Sequence, residues 1–498
     1  MKLSTIAVAA LAAAPISEVA AHPGMGDTIR EIKRIAARTT WGSSNTQNNK
    51  WGSSGSSSNG GSSWPGQSQN NGGQSSGGSS GSWPSSGGSQ NSGSSSWPSS
   101  GGSSSSGSSQ SGNGWSGDSF NPNQLIGDLR TLSDSSLTRV GSDIKKILQG
   151  SGNPESRDRY LGVPPMNTPR CKRDTCCVWK YISDELHTLF QGDSGRCSKW
   201  ARYAVRMGFH DAGTWSTKTA AQGGGADGSI ILAGELSRGE NLGLQDMGKK
   251  YQEVYTKYHD NLGFDQVTYA DLIQMGANIA AVTCPLGPRV RSFVGRQDSK
   301  KANPNNLLPN VNGNALYLIN LFKDKTIGPD DLVALIGAHT TSQQNHVDPD
   351  RAGDPQDSTP GVWDVLYYQE TIGNAPARVY KFQSDVALSK HPLTQPAFEA
   401  FAGGNGAQRA WNDYARAYVR LSLLGVNNIN DLTECTKVLP QPIDGYKHRD
   451  GSRFSKWLQS DDNSWDSKKI SQEVENGYTI STPDNKIPTK RGPWRKWW

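Results

Sequence analysis

Arg206-Met207-Gly208-Phe209-His210-Asp211 could do acid–base chemistry if it folds as a helix. Arg206 and His210, four residues apart, would then share a face, while Asp211 turns about 100° toward another surface. A cation and a base on one face can move a proton with His210 and stabilise developing negative charge with Arg206. A histidine beside Phe and Asp also suits a packed structural role, so the pattern needs support from elsewhere in the chain.

Gly223-Gly224-Gly225-Ala226-Asp227-Gly228-Ser229 follows soon after. A hard cation such as Ca²⁺ takes several oxygens at roughly 2.4 Å, and Asp211, Gly225, Asp227 and Ser229 together offer such a shell. A plain Gly-rich turn with Asp capping a helix fits the same residues. A second oxygen-rich run, Asp357-Ser358-Thr359-Pro360-Gly361-Val362-Trp363-Asp364, could wrap another cation, with Thr340 joining it. His339 ends an apolar stripe of Leu332, Leu335 and Ile336 on a helix that Gly328-Pro329-Asp330-Asp331 opens. A neutral imidazole on an apolar wall suits haem iron, and it also suits a satisfied core histidine.

The elements that must hold these groups occupy only part of the chain. Of 498 residues, 33% are hydrophobic and 57 are Gly, a balance that predicts a non-globular portion. Residues 1–21 read as a secretory signal, with Lys2, an apolar run from Ile6 to Ala14, and Val19-Ala20-Ala21 as cleavage site. No later run is long and apolar enough to span a bilayer, so the expectation is a secreted protein away from membranes. In residues 22–40, Asp27 to Arg38 could form a short amphipathic helix with Asp27 as cap and Ile29, Ile32 and Ala36 on one face. Residues 41–118 are a Ser/Gly/Trp-rich arm, expected to be disordered. Residues 119–165 carry two amphipathic segments, Leu125, Ile126 and Leu129, then Ile144, Ile147 and Leu148. Residues 166–446 have the texture of one large helical unit. The polar segment 447–498 ends in a basic, Trp-rich run and reads as a solvated tail. The 51 basic and 45 acidic residues leave a mild positive balance. It suits contact of arm and tail with polysaccharide or an anionic polymer, and no basic stripe points to nucleic acid. No Asn-x-Ser/Thr sequon occurs, and an oxidising compartment makes the six cysteines disulfide partners.

The order Arg-x-x-Phe-His-Asp, Gly-Ala-Asp-Gly-Ser, Ala338-His339, then Asp-Ser-Thr-Pro-Gly-x-x-Asp closely resembles the secreted fungal class II haem peroxidases of the plant-type superfamily, of ligninase-like, generic type. The likeness runs from about Cys171 to Pro440 and includes Pro288 and Gly295-Arg296-Gln297-Asp298. It implies a mainly α, two-lobed helical fold with haem b between a distal and a proximal lobe, two calcium ions, and a monomer that uses hydrogen peroxide to oxidise small aromatic reductants. By the same resemblance His339 holds the iron and Asp385 accepts the His339 N–H, while His210 is the base and Arg206 stabilises charge. Asn241, held by Glu235, fixes the His210 tautomer. Phe209 stands where intracellular relatives carry Trp. Asp211, Gly225, Asp227 and Ser229 become the distal calcium set, and Thr340, Asp357, Thr359, Val362 and Asp364 the proximal one. The implied disulfides are Cys171–Cys177, Cys176–Cys435 and Cys197–Cys284. Another bridge common in relatives has no cysteines here, which predicts a looser C-terminal region.

Departures from the family narrow the substrate. Where manganese-oxidising relatives place acids, this chain has Lys199, Tyr203 and Asn345. Ala334 replaces the surface Trp of ligninolytic relatives, and Gln356 stands where an aromatic is expected beneath the haem. Oxidation of small phenols or aromatic amines at the haem edge is the route that remains. Two rivals are a wall- or polysaccharide-associated adhesion protein on a non-catalytic peroxidase-like scaffold, and a copper oxygenase exposing His22. The complete set of base, cation and iron ligand disfavours the first, and the helical texture disfavours the second.

Overall fold

The computed structural model describes residues 120–403 and 406–487, the side chains of 406–410 excepted. The expected signal, N-terminal segment and arm, and the basic end of the tail from 488 onward, lie outside the described residues. Helices dominate, as expected. Among the described residues the named strands form two short antiparallel ribbons, Phe293–Val294 with Thr433–Glu434 and Gln343–Gln344 with Asp354–Pro355.

The helix Tyr269–Thr283 is apolar nearly all round and sits at the centre of the core, its start capped by Thr268, which accepts from Asp271 N. Against it lies Lys199–Ala212, the helix predicted to carry Arg206 and His210. Gly208 sets their closeness: a Cβ there would stand 2.7 Å from Ala277 Cβ and would collide with the Tyr418 hydroxyl. Gln274 ties the pair by donating from Nε2 to Gly208 O at 2.9 Å. A third long helix, Thr175–Phe190, is capped by Asp174 and buries Val178, Ile182, Leu186 and Phe190, spaced by fours, in the same core.

Pro329–Ile336 forms the second predicted site helix, with Pro in its first turn and Asp330 and Asp331 at the positive end of its dipole. His339 lies just past it, on a 3-10 turn, Gly337–Thr341. The stripe of Leu332, Leu335 and Ile336 is buried as expected, but the chain tightens before reaching the histidine.

Both flanks of the expected 166–446 unit are packed. Arg139–Leu148 buries Ile144, Ile147 and Leu148 in the main core, together with Ile126 and Leu129. Arg420 fastens this lead-in by donating to the carbonyls of Pro122, Gln124 and Leu148. Within the tail, Gly451–Leu458 and Trp465–Glu475 are helices whose Phe454, Trp457, Leu458, Ile470 and Val474 join Ile480 and Ile487 in a separate apolar cluster. The reading of this segment as solvated therefore fails for residues 451–487. One face of each helix is apolar, and a polar average composition hid it.

Long-range polar contacts tie the C-terminal region, where the missing bridge predicts a looser packing, to the body of the protein. Arg196 donates two hydrogen bonds of 2.8 Å to Asp450, with both side chains almost fully buried. Arg378 bonds Trp457 O at 3.0 Å and Asp354 Oδ1 at 3.1 Å. Removing one partner of such a buried pair commonly costs about 3–5 kcal/mol because it strands the other charge, so the Arg196–Asp450 pair constrains how this region packs. Disulfides join Cys171 to Cys177, Cys176 to Cys435, and Cys197 to Cys284.

Candidate active site

Arg206 and His210 share a helix face, with Arg206 Nε 3.3 Å from His210 Nε2. The remaining guanidinium nitrogens donate to Leu242 O at 2.6 Å and Glu240 O at 3.1 Å, which fixes the cation over the histidine. His210 Nδ1 lies 2.7 Å from Asn241 Oδ1, and Asn241 Nδ2 donates to Glu235 O at 2.8 Å. Because the amide nitrogen is committed to that carbonyl, Oδ1 must accept. The proton therefore sits on His210 Nδ1, and Nε2 is the basic nitrogen. Burial and then the Arg206 charge hold His210 well below the usual imidazole range, so the ring is a neutral base. Burial also lowers Arg206, to about 10. Phe209 meets His210 edge-on and stacks on Phe322 at 6.0 Å, which stiffens this wall.

Glu235 holds Asn241 by its main-chain oxygen, a detail the sequence does not reveal. Its carboxylate turns to Asn303 N at 2.8 Å and Arg238 at 2.9 Å. Asn303 Nδ2 then donates to Asp227 Oδ1 at 3.2 Å, so the groups orienting His210 are linked to the first oxygen set. Nothing in the local sequence around Asn303 points to that role.

His339 is buried, and burial holds it well below the usual imidazole range. Its Nδ1 faces two oxygens, the Tyr367 hydroxyl at 3.1 Å and Asp385 Oδ2 at 3.6 Å. A neutral imidazole engaged at Nδ1 is the kind of donor that haem iron would take through Nε2, so this residue fits the haem implied by the resemblance. Gln356 is likewise fully buried: Ser342 donates to its Oε1, and its Nε2 has no hydrogen-bond partner. An orphaned buried donor of this kind suits a wall facing a bound polar group. Tyr367 was not among the residues singled out from the sequence.

Asp211, on the far side of the helix from Arg206, accepts from Gly228 N at 3.1 Å, which brings the Gly-rich turn against the helix. Gly225 has φ +115° and packs on Leu424 O, where any side chain would clash. Burial and the facing Asp227 carboxylate push Asp211 well above the usual range, and Asp227 is raised chiefly by burial. Ser229 Oγ, also buried, makes no well-formed hydrogen bond. A buried and a half-buried carboxylate that repel each other, beside a buried hydroxyl, are the donor set a hard cation would satisfy.

The second set gathers in the same way. Thr340 Oγ1 lies 2.7 Å from Asp357 Oδ2 and 3.1 Å from Val362 O, and Thr359 N donates to Asp357 Oδ1 at 2.8 Å. Burial, Asp364 and Glu370 raise Asp357 well above its usual range, and Asp364 is pushed up to about 6, chiefly by burial. Glu370, a neighbour not foreseen, accepts from Ser358 N at 2.7 Å and is raised to about 8 by burial. Among the described residues no three His, Cys, Asp or Glu side chains converge as a metal site, so both sets depend on hydroxyl and carbonyl oxygens as well.

The substrate-narrowing positions also have definite surroundings. Tyr203 Oη and Asn345 Nδ2 both meet Glu475 Oε1, at 3.3 and 3.5 Å, and Arg202 donates to Glu475 O. The end of the Trp465–Glu475 helix thus covers two of the three positions where manganese-oxidising relatives carry acids. Ala334 is fully buried.

A family model described as peroxidase matches residues 182–404, a span that includes Arg206, His210, His339 and Asp385. Over 286 residues the chain is 32% identical to the low-redox potential peroxidase of Taiwanofungus camphoratus, covering 54% of this chain and 78% of that protein. It is 29% identical over 290 residues to the peroxidase of Arthromyces ramosus, covering 54% and 77%. Ligninase C of Trametes versicolor is 29% identical over 310 residues, covering 55% and 77%.

Proposed function

The chain belongs to the fungal plant-type peroxidases, and from that premise we propose how its own residues carry out the reaction. It is a haem-dependent peroxidase that uses hydrogen peroxide to oxidise aromatic donors. Haem, when bound, would supply a redox-active iron able to accept electrons from donors one at a time. His339 holds that iron. His210 Nε2 takes the proton from peroxide and returns it to the departing oxygen, while Arg206 stabilises the charge that develops as the O–O bond breaks. Asn241, anchored on Glu235 O, keeps the His210 proton on Nδ1, and Asp385 accepts from His339.

The observation that carries this reading is the tautomer of His210. A buried neutral imidazole has its proton locked on Nδ1 by Asn241 and its basic nitrogen beside an arginine. A non-catalytic scaffold would have no need of that arrangement, which counts against the adhesion reading. The haem is of the b type, and the two oxygen sets hold one calcium ion each: Asp211, Gly225, Asp227 and Ser229, then Thr340, Asp357, Thr359, Val362 and Asp364. The protein is a secreted monomer. The signal-like residues 1–21 and three disulfides support secretion, and no helix among the described residues is long and apolar enough to cross a membrane. Contact with polysaccharide or anionic polymer belongs to the Trp-rich arm and the basic end of the tail. The catalytic unit is residues 120–487, wider than the 166–446 expected, because the lead-in packs in the main core and Arg196 and Arg378 tie the tail to it.

Small phenols and aromatic amines at the haem edge are the donors. Lys199, Tyr203 and Asn345 carry no carboxylate and Ala334 is buried, so neither an acid at those three positions nor a surface Trp at Ala334 is present. Steady-state assays on a small phenol, a non-phenolic aromatic and Mn²⁺ test this. Saturable turnover is expected for the phenol alone, and efficient Mn²⁺ turnover would overturn the assignment.

A further inference from the structure

Tyr367 meets the proposed iron ligand from the Leu366–Ile372 helix, where nothing in the sequence pattern requires a hydroxyl. The ring is fully buried, edge-on to His339 with centroids 5.6 Å apart, and its hydroxyl lies 3.1 Å from His339 Nδ1. The Asp385 carboxylate oxygen on the same nitrogen is farther, at 3.6 Å, and the other Asp385 oxygen accepts from Ser384 Oγ at 3.0 Å. An N–H···O bond is ordinarily 2.7–3.2 Å, so the phenol is the better placed of the two acceptors. Its neighbour Tyr368 donates to Val333 O at 3.0 Å, which fixes this helix against the one leading to His339.

We propose that Tyr367 is a positioning residue for the proximal histidine: its hydroxyl oxygen shares the His339 Nδ1–H with Asp385, weakening the carboxylate's hold on that proton and raising the reduction potential of the haem iron. This rests on the reading of His339 as iron ligand through Nε2. With iron on Nε2 the ring proton must be on Nδ1, so the phenol oxygen accepts. A carboxylate accepting alone draws the proton strongly and leaves the imidazole rich in electron density. A neutral phenol competing for the same proton reduces that donation, and a less electron-donating axial ligand favours the ferrous state. Asp385 is then one of two acceptors rather than the single partner that the resemblance implies.

The test uses the full, haem-loaded protein and compares wild type with Tyr367→Phe and Asp385→Asn. Two readouts are needed, the ferric/ferrous midpoint potential by spectroelectrochemistry and the iron–histidine stretching band of the ferrous protein by resonance Raman. Tyr367→Phe leaves Asp385 as the remaining acceptor of the two, so its midpoint is expected to move negative and its band to move up. Asp385→Asn removes the anionic acceptor and is expected to shift both quantities the other way. Shifts of the same sign in the two variants, or none in Tyr367→Phe, would overturn the sharing and leave Tyr367 as packing. Absence of an iron–histidine band from wild type would instead overturn the reading of His339, and this inference with it.

Discussion

The two buried histidines differ in how their second nitrogen is held, and the difference matches the role proposed for each. His210 Nδ1 has a neutral amide oxygen at 2.7 Å, which fixes its tautomer without adding negative charge. His339 Nδ1 faces a phenol and a carboxylate, a pairing that would tune the electron donation of the proposed ligand. Their supports differ as well. His210 rides on a continuous helix locked to the central helix at Gly208, whereas His339 sits on a 3-10 turn whose next residue, Thr340, bonds directly to Asp357. A base is best served by rigid placement, while a ligand needs placement together with tuned basicity.

The comparison breaks most plainly if the two histidines are exchangeable. His339→Ala is expected to lose stable haem binding. His210→Ala is expected to keep haem and to react with peroxide about 10²–10⁴-fold more slowly, the usual worth of a positioned acid–base group. Absorption spectra and stopped-flow traces of the two proteins check this, and rapid peroxide reaction in the His210 variant would remove its role as base.

Calcium separates the two sides by pH. Asp211, Asp227 and Asp357 are raised above the usual carboxylate range, and Asp364 sits at about 6. A carboxylate that binds its proton more tightly when folded opposes folding once it ionises. That cost is absent below the ordinary carboxylate pKa of about 4, builds as pH rises from there to the folded value, about 6 for Asp364 and higher for the groups raised further, and is constant above it. A bound cation offsets it. Calcium added to desalted protein at about 100 times its Kd should therefore stabilise by about 2.7 kcal/mol at pH 7.5, and by much less at pH 4.5. Thermal unfolding with and without calcium at the two pH values measures this, and equal gains at both would count against these sets.

Asn241→Ala should have the smallest effect, slowing the peroxide reaction by about 10–100-fold as expected for loss of a group that only orients another. Haem binding should be unchanged, since nothing on the His339 side is touched. Pre-steady-state rates decide it, and a rate equal to wild type would mean that the helix alone fixes the His210 tautomer.

Much of this architecture is written in local spacing. Arg206 and His210 four apart, Pro329 opening a helix, and the stripe ending near His339 follow from helical periodicity, which acts over neighbouring residues. The two oxygen sets are also legible, because Gly-rich and Asp-rich runs lie close together in the chain. Other features depend on residues far apart in sequence, where no period helps. Tyr367 reaches His339 across 28 residues, and Asn303 links Glu235 to Asp227 through contacts 68 and 76 residues apart. Arg196 holds Asp450 across 254 residues, which turned a segment of polar composition into packed structure. The sequence determined which groups are available and which neighbours share a face. Tertiary packing decided which oxygens reach His339 and which carbonyl holds Asn241, because hydrogen bonds form only within about 3 Å and only the closed fold brings distant residues that near.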